Sequence, residues 1–142
     1  MSEPSKPAQS NRRRFLGTTT AAAATLGSAE LVYGDHHKGK PLRFAQIGCG
    51  GKGSSDLDNT VSSGGKLIAM CDVDEGRAKG HFNKYSKVPR YTDYREMLAK
   101  HKDEIDAVVV STPDHVHAVA ALAAMKLGKH VYVQKPLAQT YG

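Results

Sequence analysis

The chain has 142 residues, a net charge of +6 and 39% hydrophobic residues, enough for one folded domain and too apolar for a disordered chain. No run approaches the ~20 apolar residues that span a bilayer, and no basic stripe is interleaved with aromatics in the manner of nucleic-acid binders. Cys49 and Cys71 are the two cysteines; they make neither a disulfide framework nor a zinc spacing and read as small buried thiols of a chain that folds in a reducing compartment.

The chain opens on a polar stretch with Pro4 and Pro7, followed by Asn11-Arg12-Arg13-Arg14-Phe15-Leu16-Gly17. Paired arginines, a spacer and Phe-Leu form the pattern of a twin-arginine export signal. A weakly apolar Ala/Thr run, Thr18 to Leu26, follows, and the small residues Gly27 and Ala29 suit a cleavage site before Glu30. The competing reading is a basic tail beside an Ala-rich helix. Residues 1–34 are therefore expected to be signal and linker, with the twin-arginine translocase as partner and a periplasmic or other extracytoplasmic destination. That route carries folded proteins, which suits a chain that must load a cytoplasmic cofactor before export.

Beyond Pro41 the pattern alternates. Leu42 to Ile47 reads as a strand that stops at glycines, and a helix is expected from Gly51 to about Val61. Lys66 to Cys71 is a second strand, whose continuous apolar run Leu67-Ile68-Ala69-Met70 suits a buried parallel strand. A polar helix is expected from about Glu75 to Tyr85, and Pro89 breaks the chain. A short helix from Asp93 to Lys100 has Thr92 as an N-cap; alternatively Asp93 caps, with Glu96 completing a capping box. Asp106 to Val110 is a third strand. Asp114 or His115 opens an Ala-rich helix ending at Leu127-Gly128, whose face Ala118, Ala121, Leu122 and Met125 is expected to pack on the sheet. His130 to Val133 is a fourth strand. Strands alternating with helices predict an α/β fold: a Rossmann-type parallel sheet of about four strands joined by right-handed crossovers.

Gly48-Cys49-Gly50-Gly51-Lys52-Gly53 contains G-x-G-x-x-G between a strand and a helix, the context that gives the motif meaning. Gly48 permits the turn, Gly50 lets a diphosphate approach the backbone and Gly53 lets helix and strand pack closely. The helix N-terminus offers free N–H groups to phosphate, and Lys52 either adds charge or is merely solvated. Asp72 follows the second strand, nineteen residues after Gly53, where an acid accepts from ribose hydroxyls and repels a 2′-phosphate. This favours NAD over NADP, although Arg77 would accommodate NADP if it folded back. Residues 35–142 are thus expected to be an NAD(P)-binding domain.

Ser111-Thr112-Pro113-Asp114 leaves the third strand at the ligand-binding edge of such a sheet; the competing role is a helix cap, with Asp114 as the capping side chain. His115 and His117 are two apart and cannot share a helix face, so no metal site is expected. Lys135, in Gln134-Lys135-Pro136-Leu137, lies at the end of the fourth strand near the expected nicotinamide. It is the candidate catalytic residue, able to move a substrate proton if burial lowers its pKa; the alternative is a surface lysine before a turn proline.

Gly48 to Gly53, Cys71-Asp72-Val73-Asp74, Tyr91-Thr92-Asp93-Tyr94, Ser111 to His117 and Lys135-Pro136 run in order along residues 42–137. Together they resemble the glucose-fructose oxidoreductase, inositol dehydrogenase and rhizopine catabolism family (Gfo/Idh/MocA). The resemblance implies a Rossmann domain followed by a second α/β domain that holds substrate and oligomer contacts, and hydride transfer between NAD(P) and a sugar or polyol. It implies cofactor contacts at Gly48, Cys49, Gly50, Gly51, Lys52, Gly53, Asp72, Ser111, Thr112, Pro113, His117 and Lys135, with Lys135 catalytic. Two departures stand out. Gln134 replaces the family's Glu before the lysine. The second domain, source of the family's catalytic Asp and His, is absent from this sequence, so the chain is expected to be an N-terminal part, inactive by itself, of a homo-oligomeric protein. The competing functions are a glycosidase of the same family that uses NAD transiently, and a dinucleotide-binding module without catalysis.

Overall fold

A computed structural model describes residues 39–138, which lie in the unit that spans His37–Gly142; the arginine motif, the apolar run and the last four residues lie outside the described part. Nine elements follow one another: β1 Arg43–Ile47, α1 Lys52–Ser62, β2 Lys66–Cys71, α2 Glu75–Lys84, β3 Arg90–Tyr91, α3 Tyr94–His101, β4 Ala107–Val110, α4 Asp114–Lys126 and β5 His130–Val133. The strands form one parallel sheet in the order β3-β2-β1-β4-β5.

The expected count of about four strands is corrected to five among the described residues. The added strand is the two-residue β3, which lies just after Pro89 and pairs Arg90 with Met70 and Tyr91 with Cys71. A proline cannot donate to a ladder, but its carbonyl still accepts: Met70 N–H donates to Pro89 O at 2.9 Å. Two residues are too few to show an alternating pattern in sequence.

The sheet separates two apolar layers because successive strand residues point to opposite faces. On one face Met70 lies with Leu57 of α1 and Phe82 of α2, and Phe44 with Ala107 and Val109, Val61 and Leu67 packing against both groups; on the other, Ala45, Ile47, Val108 and Val110 lie with Met97 and Leu98 of α3 and Ala120 and Ala124 of α4. The β1–β2 register slips once, so that Phe44 pairs with Leu67 but Ala45 pairs with Ala69. At the opposite end from the site, Arg43 grips Asp106 with two side-chain bonds of 2.6 and 3.0 Å, joining β1 to the start of β4.

Three local expectations change. Asp93 caps α3, but it accepts from Arg95 N–H at 2.8 Å, so neither Thr92 nor a capping box with Glu96 does that work. Asp114 is the first residue of α4 rather than its cap; Pro113 occupies the cap position with no side-chain bond, and the Asp114 charge sits in the first turn. The buried face of α4 is His117, Ala120, Ala121 and Ala124, while Leu122 and Met125 stay 49% and 53% exposed. Ala121 therefore packs inward as expected, and Leu122 and Met125 do not. Almost every position from 116 to 125 is apolar, so spacing fits several faces equally. The two polar contacts of His117 select one of them, and alanines let the helix approach the sheet.

Candidate functional site

Tyr91, Cys71, Ile47, Val110 and Val133 pair in one row across the sheet. The segments that leave this row are Thr92, Asp72, Gly48, Ser111 and Gln134, so every candidate segment of the sequence emerges at the same carboxyl edge. The strand order reverses between β1 and β4, and this is where open α/β sheets bind ligands.

The glycine loop is shaped by what a side chain would strike. Gly48 has φ +85°, and a Cβ there would stand 2.5 Å from the Ser111 carbonyl oxygen. A Cβ on Gly53 would fall on the Gly48 carbonyl, which fixes how closely α1 packs against β1. A Cβ on Gly50 would meet the Arg77 Cβ at 2.9 Å, so the bare Gly50 makes room for α2 as well as for any ligand. Arg77 lies beside the loop, with its Nη2 3.5 Å from where a Gly51 Cβ would stand. Beneath the loop, the fully buried Gln46 donates from Nε2 to the Gly48 carbonyl at 2.8 Å.

Asp72 holds the loop from the other side. One carboxylate oxygen accepts from Cys49 N–H at 2.7 Å and Gly50 N–H at 3.1 Å, and the other accepts from Asp74 N–H at 3.0 Å. Cys49 contributes only its main chain here. Its thiol is buried, and that burial, with the nearby Asp72 charge, pushes its pKa up to about 12; burial does the same to Cys71. Gly53 and Ser54 N–H donate back to Gly50 and Gly51 carbonyls. The N–H groups of Gly51 and Lys52 make no hydrogen bond among the described residues, as the start of a helix leaves them.

At the β4 exit, Ser111 turns inward. Its hydroxyl donates to Asp56 at 2.7 Å, which uses its one proton within the protein. Thr112 Oγ1 is buried with no partner, and Pro113 is exposed. His117 is 1% exposed, and its ring nitrogens lie 2.7 Å from the Thr112 carbonyl and 2.6 Å from the Pro136 carbonyl. Both ring nitrogens face main-chain carbonyls, which only accept, so a neutral imidazole donates to one of the two and packs against the other, and both bonds form together only when the ring carries two protons. His115, by contrast, is exposed.

Lys52 reaches back to Asp56 at 2.7 Å, and that hydrogen bond raises the lysine pKa. Asp56 also accepts from Gln134 Nε2 at 2.8 Å. Burial disfavours the Asp56 charge, but the bonds from Lys52, Ser111 and Gln134 together outweigh it and hold the carboxyl below the ordinary range. Lys135 is exposed and follows Gln134 at the edge, with the Lys135–Pro136 peptide bond cis. The burial expected to tune it is not supplied by residues 39–138.

Sequence reasoning missed Asp56 and Gln46. Asp56 left a faint signal: it lies three residues after Gly53 and so shares the helix face that packs on the sheet. Gln46 had none, since a polar residue within a strand reads as solvent-facing.

This is the edge of a dinucleotide-binding Rossmann fold. Residues 42–142 match the model of the GFO_IDH_MocA family, described as an oxidoreductase family with an NAD-binding Rossmann fold, and the chain belongs to that family. The inositol 2-dehydrogenase of Salmonella paratyphi B is 34% identical over 103 residues, covering 70% of this chain and 30% of that protein. A glycosyl hydrolase family 109 protein of a Shewanella species is 31% identical over 160 aligned positions, covering 92% of this chain and 34% of that protein. Among solved structures, a myo-inositol 2-dehydrogenase from Lactobacillus plantarum superposes with a TM-score of 0.65 at 32% identity, over 72% of this chain and 30% of that one. An enzyme from Lactobacillus casei described in complex with NAD(H) and myo-inositol gives 0.63 at 26% identity, over 70% of this chain and 30% of that one. The chain thus spans about a third of the length of the relatives it matches.

Proposed function

We propose that this domain binds NAD along its carboxyl edge and serves an oxidoreductase acting on the CH–OH groups of a sugar or polyol. The observation that carries this reading is the union of an Asp72-anchored glycine loop with unspent N–H groups at Gly51 and Lys52. Those N–H groups and the positive end of α1 receive the diphosphate. Asp72 uses three of its roughly four acceptor positions within the protein and keeps capacity for a ribose hydroxyl. The buried, unpartnered Thr112 hydroxyl, with Pro113, lines the cofactor between the loop and β5. Lys135 stands where it can donate to a substrate oxygen. When bound, the nicotinamide supplies the hydride acceptor or donor.

Because the chain covers only about 30% of the inositol dehydrogenases it resembles, we propose that a second domain supplies the rest of the substrate site and buries Lys135. Calorimetry of the chain with NAD+ and NADP+ tests the cofactor reading: NAD+ should bind at least tenfold more tightly, and absence of binding to both overturns it. In the full-length product, Lys135→Ala should remove turnover while leaving the NAD+ affinity within about threefold, since the lysine acts on substrate.

A second reading has its own support. The alignment with the family 109 glycosyl hydrolase takes in 92% of the chain and so must extend ahead of residue 42, whereas the family model starts there. Under that reading NAD is used and regenerated within one cycle. Release of a p-nitrophenyl leaving group without NADH accumulation at 340 nm favours it; stoichiometric NADH with myo-inositol or another polyol favours the dehydrogenase.

Residues 1–34 are proposed to direct twin-arginine export, on the strength of Arg12-Arg13 and the apolar run behind them. Replacing Arg12 and Arg13 by Lys should retain a fused reporter in the cytoplasm, and unchanged export would reject the assignment.

A further inference from the structure

Lys135 sits between two residues that are each tied down from inside the protein. Before it, the Gln134 side chain donates to Asp56 at 2.8 Å; after it, the Pro136 carbonyl lies 2.6 Å from a His117 ring nitrogen. Asp56 and His117 are 7% and 1% exposed. Each also holds the neighbouring β4 exit: Asp56 accepts from the Ser111 hydroxyl at 2.7 Å, and His117 reaches the Thr112 carbonyl at 2.7 Å. Two buried side chains from two helices on opposite faces of the sheet thus bridge the same two strand exits.

We infer that Asp56 and His117 are positioning residues that clamp the β4 and β5 exits together and so set where Lys135 stands relative to Thr112. This rests on the cofactor reading for what the clamp serves, but the clamp itself is a property of the protein alone.

The clamp accounts for Gln134. A carboxylate accepts hydrogen bonds and cannot donate them. The Asp56 oxygen facing β5 already accepts from Ser111, and it needs a second donor from position 134. The glutamine amide supplies one. A glutamate there would set a second negative charge against a buried one. Gln134 and Asp56 are therefore chemically matched, donor to acceptor.

The experiment compares the unaltered chain with Gln134→Glu, with Gln134→Met in case the glutamate variant does not fold, and with Asp56→Asn/Gln134→Glu. The first readout, hydrogen exchange by mass spectrometry, needs no ligand. Either single substitution should speed exchange severalfold at 111–114, the segment that leaves β4, as well as at 134–137. The double variant, whose asparagine amide can donate to the new carboxylate, should return both segments to the original rate. Loosening confined to 134–137, or no recovery in the double variant, overturns the clamp.

The second readout is affinity for NAD+ and for AMP. The clamp lies at the nicotinamide end, so Gln134→Glu should weaken NAD+ by about tenfold and AMP by less than twofold, with NAD+ affinity restored in the double variant. Equal weakening of both ligands would mean a general structural role and overturn the positioning role. If the unaltered chain binds neither ligand, the cofactor reading and the positioning role it serves both fall, while the exchange data still decide whether the clamp exists.

Discussion

The Asp72 carboxylate accepts a hydrogen bond from the main-chain N–H of Cys49 at 2.7 Å. The acid that follows β2 and the loop that follows β1 are thereby one unit, because the same oxygen also accepts from Gly50 at 3.1 Å. Asp72→Ala should therefore act twice, freeing the loop and removing the proposed ribose acceptor. Hydrogen bonds to a charged group contribute about 1.5–3 kcal/mol each, so NAD+ affinity should fall at least tenfold and preference over NADP+ should narrow. Titration calorimetry with both cofactors measures this, and unchanged affinities would remove Asp72 from the site.

Gly53 and Gly80 make opposite predictions from the same substitution. A Cβ on Gly53 collides with the Gly48 carbonyl, which is backbone and cannot turn aside. Gly53→Ala should cost about 1–3 kcal/mol or more, read as a lower urea midpoint. Gly80 lies within α2 with nothing inside 4 Å of an added Cβ. Gly80→Ala should instead stabilise by about 0.5–1 kcal/mol.

Asp58 joins α1 to α2. It accepts from Lys84 Nζ at 2.7 Å and the Tyr85 hydroxyl at 3.0 Å, and His81 lies 3.3 Å away. The Lys84 bond first, then His81 and Tyr85, holds its pKa down to about 2 against burial. A carboxyl whose folded pKa is depressed stabilises the fold above its unfolded value near 4 and loses that contribution as pH falls toward 2. The side chain is 38% exposed, so solvent screening keeps the effect small. Asp58→Asn should lower the unfolding midpoint modestly at pH 7, and the difference should shrink between pH 4 and pH 2. A difference that stays constant across that range would exclude the ion pair as its cause.

Cys49 and Cys71 should be inert while the protein is folded. Both are buried, with pKa values pushed up to about 12 by desolvation, and the thiolate is the reactive form. Ellman's reagent at pH 8 should label neither residue in the native protein and both in guanidinium. Rapid native labelling would show that the Asp72-anchored loop opens.

The periodic and punctuating features of the sequence survive into the structure because they depend on near neighbours in the chain. The strand–glycine–helix order at residues 43–53, the buried parallel strand ending at Cys71 and the stop at Gly128, with φ +71°, are of this kind. So is the acid at 72, whose distance from the loop fixes its place once β1 and β2 pair. The turn of α4 was not legible, since an alanine-rich helix carries no strong preference for one face, and the contacts of the buried His117 ring with the Thr112 and Pro136 carbonyls chose it.

The sequence by itself determined the class of fold, the dinucleotide edge and the candidate segments along it, since each follows from local backbone preference and from the order of strands and helices. Tertiary structure alone decided which polar side chains along that edge find partners inside the protein. Ser111 and His117 turn inward; Asp56 and Gln46, unmarked in the sequence, become the groups that hold the edge together. The physical reason is that a buried polar atom must find a partner, and partners 55 and 78 residues apart in the chain, such as Ser111 and Gln134 on Asp56, meet only when the sheet has aligned the ends of its strands.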